Sequence, residues 1–159
     1  MMKHHQRSIG KNDEWLTPPE IIKALGEFDL DPCAPSVRPW PTAREHISIP
    51  RDGLTETWRG RVWCNPPFNR YTRPLWMEKM AAHGRGILLI PAATETSAFD
   101  AFVWRWADAV CFLRGRPHFH FVDGRRAKCN SGTAIVLAAY GSSDVAALHA
   151  SKLGKVIEL

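Results

Sequence analysis

Asn65, Pro66, Pro67 and Phe68 place an amide, two prolines and an aromatic ring directly after the apolar run Val62-Trp63-Cys64. Proline donates no backbone hydrogen bond, so a strand through Cys64 must stop at this corner. The corner suits one kind of chemistry. An amino group on an aromatic ring is a poor nucleophile, because its lone pair is delocalised into the ring. Two acceptors for its hydrogens push the nitrogen toward sp3 character, and the Asn65 side-chain oxygen and the Pro66 carbonyl can supply them. Pro67 restricts the direction of that carbonyl through its fixed φ. Phe68 offers a face on which a planar base can stack, as in pockets that hold a flipped-out nucleotide. The competing reading is a Pro-Pro turn with a packed phenylalanine. The strand before the corner and the helix after it favour a reaction centre.

Such a corner works only at the carboxyl end of a parallel strand, where open α/β sheets bind ligands. The flanking elements supply that setting. The stretch 13–28 reads as a helix with Thr17 as its cap, prolines in its first turn, and Ile21, Ile22 and Leu25 on its apolar face. A short strand at 28–30 is broken by Asp31-Pro32. Residues 32–61 carry Pro32, Pro35, Pro39, Pro41 and Pro50 with little periodicity beyond a short strand near His46-Ile47, so they read as functional loop. A helix follows the Asn65 corner, with Leu75, Trp76 and Met80 on one side and Gly84 ending it. The continuous apolar run from Gly86 suits a strand covered on both faces. Next come a helix with Phe99, Phe102, Val103 and Trp106 at helical spacing and a strand at 108–115. The alternating 116–124 and the apolar 133–141 read as an antiparallel hairpin at the sheet edge, and 145–159 as a short helix plus an extended tail. The expected class is α/β, doubly wound and mostly parallel, with residues 1–12 a flexible polar arm and 13–159 one domain.

Composition agrees with one soluble domain. The 159 residues are 45% hydrophobic and 23% charged, with seven tryptophans and a net charge of +5 that favours an anionic partner. Cys33, Cys64, Cys111 and Cys129 form no C-x-x-C pair, so they read as reduced thiols rather than zinc or redox sites. The N-terminus has no apolar core for a signal peptide, and no run is long enough to span a membrane, so a cytoplasmic location is expected. His118 and His120 share a face but lack further metal ligands, so no metal is expected.

The ordered segments carry a resemblance. Asn65-Pro66-Pro67-Phe68 resembles the [DNS]-P-P-[YFW] motif of S-adenosylmethionine-dependent amino-methyltransferases. The stretch around Trp15, Thr17 and Pro18 resembles the Thr-Pro segment leading into a helix on the cofactor side of adenine methyltransferases. Asp31, Pro32, Cys33 and Ala34 resemble their first motif, and Asp52-Gly53-Leu54 stands where a carboxylate commonly accepts from the cofactor's adenine amino group. With the segments at 58–68, 86–99, 112–119 and 131–137, residues 13–140 resemble the phage-type DNA N-6-adenine methyltransferase family.

The resemblance implies a compact Rossmann-like methyltransferase sheet, S-adenosylmethionine as cofactor and DNA with a flipped adenine as substrate. It implies Asn65 and Pro66 as polarising groups, Pro67 as their brace, Phe68 as the stacking ring, and Trp15, Thr17, Pro18, Asp31, Pro32, Cys33, Ala34, Asp52 and Leu54 on the cofactor. For Trp15, burial as plain core is the alternative; for Asp29 and Asp31, capping is. The glycine-rich loop common in such enzymes is replaced here by Asp-Pro-Cys-Ala-Pro. No separate target-recognition domain fits, so the arginine-bearing loops 36–42, 70–73 and 114–128 are the expected DNA contacts, with a homodimer as one way to supply more. Glu95 and Thr96, at a strand end, are further pocket candidates. RNA guanine or protein glutamine methyltransferases share the corner, and a catalytically idle DNA-binding protein of the same fold is the non-enzyme alternative.

Overall fold

The computed structural model describes residues 14–159; the polar arm expected at 1–12 lies outside them. Seven strands form one sheet: β1 (Leu30–Asp31), β2 (Glu45–His46), β3 (Val62–Cys64), β4 (Gly86–Pro91), β5 (Ala109–Leu113), β6 (Ile135–Tyr140) and β7 (Gly154–Glu158). Their order is β2-β1-β3-β4-β6-β5-β7. The pairs β1–β2, β1–β3 and β3–β4 are parallel, whereas β4–β6, β5–β6 and β5–β7 are antiparallel. Strands β6 and β7 therefore run against the other five.

Alternation along the strands builds two cores, one on each face. Val62, Cys64, Leu88, Ile90, Val136 and Ala138 pack with Trp76, Met77 and Met80 of helix α2 (Arg73–His83) and with Phe99 and Val103. Trp63, Ile87, Leu89, Leu137 and Ala139 pack with Ile21 and Leu25 of α1 (Pro19–Leu25) and Leu148 of α4 (Ser142–Ser151). Every residue of β3 and β6 is buried, and each large apolar side chain contributes about 1.5–3 kcal/mol. β3 and β4 approach so closely at Gly86 that a Cβ there would lie 2.1 Å from the Val62 carbonyl oxygen, so only glycine keeps their register.

The α/β class holds, with helices on both faces of the sheet, but only the β2-β1-β3-β4 half is parallel where a mostly parallel sheet was expected, and further elements differ. The 116–124 segment does not pair with β6: it forms isolated bridges, Leu16 with His120 and His120 with Arg126. β6 lies inside the sheet, and the antiparallel edge is β7. Leu75 is 49% exposed, and Met77 takes its expected place in the core. The helix after β4 is α3 (Ser97–Phe99) followed by a π-helical turn, Asp100–Trp104. It ends before Trp106, which is 65% exposed instead of packed. The wider π turn breaks the 3.6-residue spacing that a regular helix would have kept.

Topology also decides where the long loop goes. β5 ends at the carboxyl edge of the parallel strands, and the reversed β6 begins at that edge. Residues 114–134 therefore lie across it. At the opposite edge, Arg61 Nε donates to Asp144 Oδ1 at 2.6 Å, Arg61 Nη1 donates to the Glu27 carbonyl at 2.9 Å, and the guanidinium lies 4.2 Å over the Phe28 ring. Asp144 is fully buried in the first turn of α4, so this pair joins α4, β3 and the turn before β1. Burial pushes the Asp144 carboxyl up, against the pull of Arg61.

Candidate active site

The carboxyl ends of β1, β2 and β3 open into one cavity of about 1380 Å³. Pro32, Cys33 and Ala34 follow β1, Ile47 and Ser48 follow β2, and Asn65, Pro66, Pro67 and Phe68 follow β3; all line it. A further wall comes from loop 114–134, including Phe119, Phe121, Arg125, Arg126 and Lys128. Phe68 meets Phe119 edge to face with ring centroids 5.9 Å apart, and Trp15 meets Phe121 at 5.0 Å. The cavity thus has planar apolar walls and a basic margin, a pairing suited to a stacked ring carried on an anionic chain.

Asn65 has a defined orientation. Its Nδ2 donates to the Trp15 carbonyl at 3.3 Å and to Thr17 Oγ1 at 3.2 Å. A carbonyl can only accept, so the nitrogen end of the carboxamide must face Trp15. Asn65 Oδ1 and the Pro66 carbonyl accept no hydrogen bond among the described residues. Both remain available to the hydrogens of a bound amine.

Asp31 sits behind this wall. It is 4% exposed, its Oδ1 accepts from the Cys33 N–H at 3.1 Å, and its Oδ2 accepts from the Thr42 hydroxyl. Burial pushes its carboxyl up to about 6, against the pull of Thr42 and Cys33. The folded chain therefore holds the proton to a higher pH than the unfolded chain does. This group's stabilisation is complete below its unfolded value of 3.8 and is lost as the pH rises through about 6. The shift corresponds to about 3 kcal/mol. Asp31→Asn is expected to become about 3 kcal/mol more stable, relative to the native chain, at pH 8 than at pH 4. Urea unfolding at the two pH values checks this; a constant difference would show that Asp31 does not titrate on folding. Next to it, Cys33 Sγ lies 3.8 Å from Cys64 Sγ, and burial pushes the Cys33 thiol up, so both read as packing thiols.

A family model for DNA N-6-adenine-methyltransferase (Dam) matches residues 5–140. The chain belongs to that family. No curated protein and no solved structure matches it.

Within this Dam-family chain, the residues selected from sequence fall into two groups. Trp15, Pro32, Cys33, Ala34, Asp52, Asn65, Pro66, Pro67 and Phe68 line the large cavity. Thr17, Pro18, Asp31 and Leu54 do not. Thr17 and Asp31 instead border a small adjoining chamber with Thr42 and Trp63, which shares Trp15, Cys33, Pro35 and Asn65 with the large cavity. Pro18 is buried at the start of α1, where it holds the N-cap position expected of Thr17. Leu54 packs against the core, and its carbonyl accepts from Lys79 Nζ at 2.7 Å.

Asp52 Oδ1 accepts from the Leu54 N–H at 2.9 Å and turns the loop at the cavity margin. A Cβ on Gly53 would lie 1.9 Å from the Pro32 carbonyl oxygen, so glycine lets this loop close onto the segment 32–34. Thr96 caps α3 by accepting from the Phe99 N–H at 3.3 Å, and neither it nor Glu95 lines the cavity. Sequence reasoning missed Ile47, Ser48, Trp76 and Asn130 as wall residues. The first two had a signal, since they directly follow a strand that ends at the carboxyl edge. Among the described residues no three His, Cys, Asp or Glu side chains form a metal-holding group, and no helix is long and apolar enough to cross a membrane.

Proposed function

We propose that this Dam-family chain transfers a methyl group from S-adenosylmethionine to the N6 amino group of adenine in DNA. The observation that carries the reading is the Asn65 carboxamide, whose nitrogen is held by Trp15 and Thr17 and whose oxygen accepts no hydrogen bond among the described residues. Asn65 Oδ1 and the Pro66 carbonyl accept the two amine hydrogens and localise the lone pair on nitrogen. Phe68 stacks against the base and fixes the approach of that nitrogen.

The cofactor would be held by residues 32–34, Ile47, Ser48 and Asp52, on the cavity wall closed by the contact of Gly53 with Pro32. When bound, its sulfonium supplies an activated methyl group that needs no metal. Asp31 acts behind this wall by bracing the Cys33 N–H and the Thr42 hydroxyl. The cavity of about 1380 Å³ exceeds one small-molecule pocket of roughly 300–1,000 Å³, which leaves room for a base beside the cofactor. Arg125, Arg126 and Lys128 at its margin are the proposed phosphate contacts. The loops 36–42 and 70–73 have only their charge to support a contact. A DNA substrate also implies an intracellular site of action.

The test is transfer of labelled methyl from S-adenosylmethionine to unmodified duplex DNA, followed by analysis of the labelled base. Label in N6-methyladenine is the expected result. Cofactor binding without label in DNA would move the reading to an RNA guanine or protein glutamine acceptor, and no cofactor binding would favour an idle DNA-binding protein.

A further inference from the structure

We propose that the Thr17 hydroxyl is a positioning group for Asn65, acting on the target-amine side of the site and not on the cofactor. The inference rests on the proposed amine methylation. A carboxamide has two similar ends, and only the oxygen end can accept from an amine. The torsion that turns these ends is broad, because it joins an sp3 to an sp2 atom. One bond, from Nδ2 to the Trp15 carbonyl at 3.3 Å, selects which end of the carboxamide faces Trp15 and leaves the oxygen as the other end. The second, to Thr17 Oγ1 at 3.2 Å, occupies the other amide hydrogen and sets the plane.

Thr17 is 1% exposed and lies outside the walls of the large cavity, so it is not placed to touch a ligand there. Its own position is fixed from two sides. Leu16 exchanges backbone hydrogen bonds with His120 at 2.9 and 3.0 Å, and α1 begins two residues after Thr17. The segment 15–17 is thereby a strap that joins loop 114–134 to the catalytic corner. Without the hydroxyl, one amide hydrogen loses its partner in a partly buried setting, and the carboxamide is free to twist or turn its donor end toward the amine.

The experiment compares Thr17→Val, which keeps the shape without the hydroxyl, with Thr17→Ser, which keeps the hydroxyl; Thr17→Ala replaces the valine variant if that one fails to fold. Three quantities are read: kcat for methyl transfer, the Kd for S-adenosylmethionine, and hydrogen exchange of the Asn65 side-chain amide by NMR, assigned by its absence in Asn65→Ala. Loss of the hydroxyl is expected to lower kcat about 10- to 100-fold, with the Kd within about threefold of native. The Asn65 amide should exchange faster in the valine variant, and serine should restore both readouts to within about threefold.

Unchanged kcat and unchanged exchange would overturn the proposal. So would a weakened Kd with kcat intact, which would return Thr17 to the cofactor side, or equal losses in the serine variant, which would make its role one of folding alone. Absence of any methyl transfer by the native protein would instead remove the enzymatic reading. The exchange comparison would still decide whether Thr17 holds Asn65.

Discussion

Asn65→Ala is expected to reduce methyl transfer to adenine by at least about 100-fold, the scale on which losing one preorganised polar group slows an enzyme. The Kd for S-adenosylmethionine should stay within several-fold. The substitution removes the only side-chain acceptor at the corner, so the amine would meet the Pro66 carbonyl alone and keep its lone pair in the ring. Alanine also leaves the Trp15 carbonyl and the Thr17 hydroxyl without the amide that now joins them to β3. That loss concerns a local strap and not the two cores, so the fold should persist. Single-turnover transfer of labelled methyl, paired with calorimetric titration of the cofactor, separates the outcomes. Joint loss of transfer and cofactor binding would make the corner a structural turn, and full activity would exclude Asn65 from the chemistry.

The second large effect is on stability and lies at the other end of the sheet. Asp144→Ala is expected to cost about 3–5 kcal/mol, because it strands the Arg61 guanidinium, whose side chain is only 15% exposed, without its carboxylate. For a chain of this size that corresponds to a melting temperature lower by roughly 10 °C. Replacing both members by apolar residues, Arg61→Met with Asp144→Leu, should recover much of the loss, since no buried charge then remains unpaired. Thermal and urea unfolding of the two variants measure this. A loss below about 1 kcal/mol in the single variant would mean that the pair behaves like an exposed one.

Much of this architecture was legible along the chain because its signals are local. Two consecutive prolines end a strand wherever they occur, so the corner at Asn65 could be placed after β3 without knowing its neighbours. The apolar run that became β4 reports burial on both faces, those that became β5 and β6 report strands, and glycines 26 and 84 mark the ends of α1 and α2. The chemistry of an amide, a fixed carbonyl and an aromatic ring is likewise a property of four adjacent residues.

What could not be read was anything that depends on which segments meet. The alternation of 116–124 resembles a strand, yet only His120 among them bridges to Leu16, and the segment crosses the site because β6 is reversed and starts at the carboxyl edge. Trp106 has helical spacing from Phe99, but the π turn ends the helix first and leaves it in solvent. Thr17 has the composition of a helix cap, and its hydroxyl is instead taken by Asn65, a residue 48 positions away. By itself, the sequence determined where strands stop and which groups could polarise an amine. Only the tertiary structure decided which groups hold the nitrogen end of the Asn65 amide, because a hydrogen bond between distant segments depends on the packing of the whole sheet and leaves no periodic trace in either one.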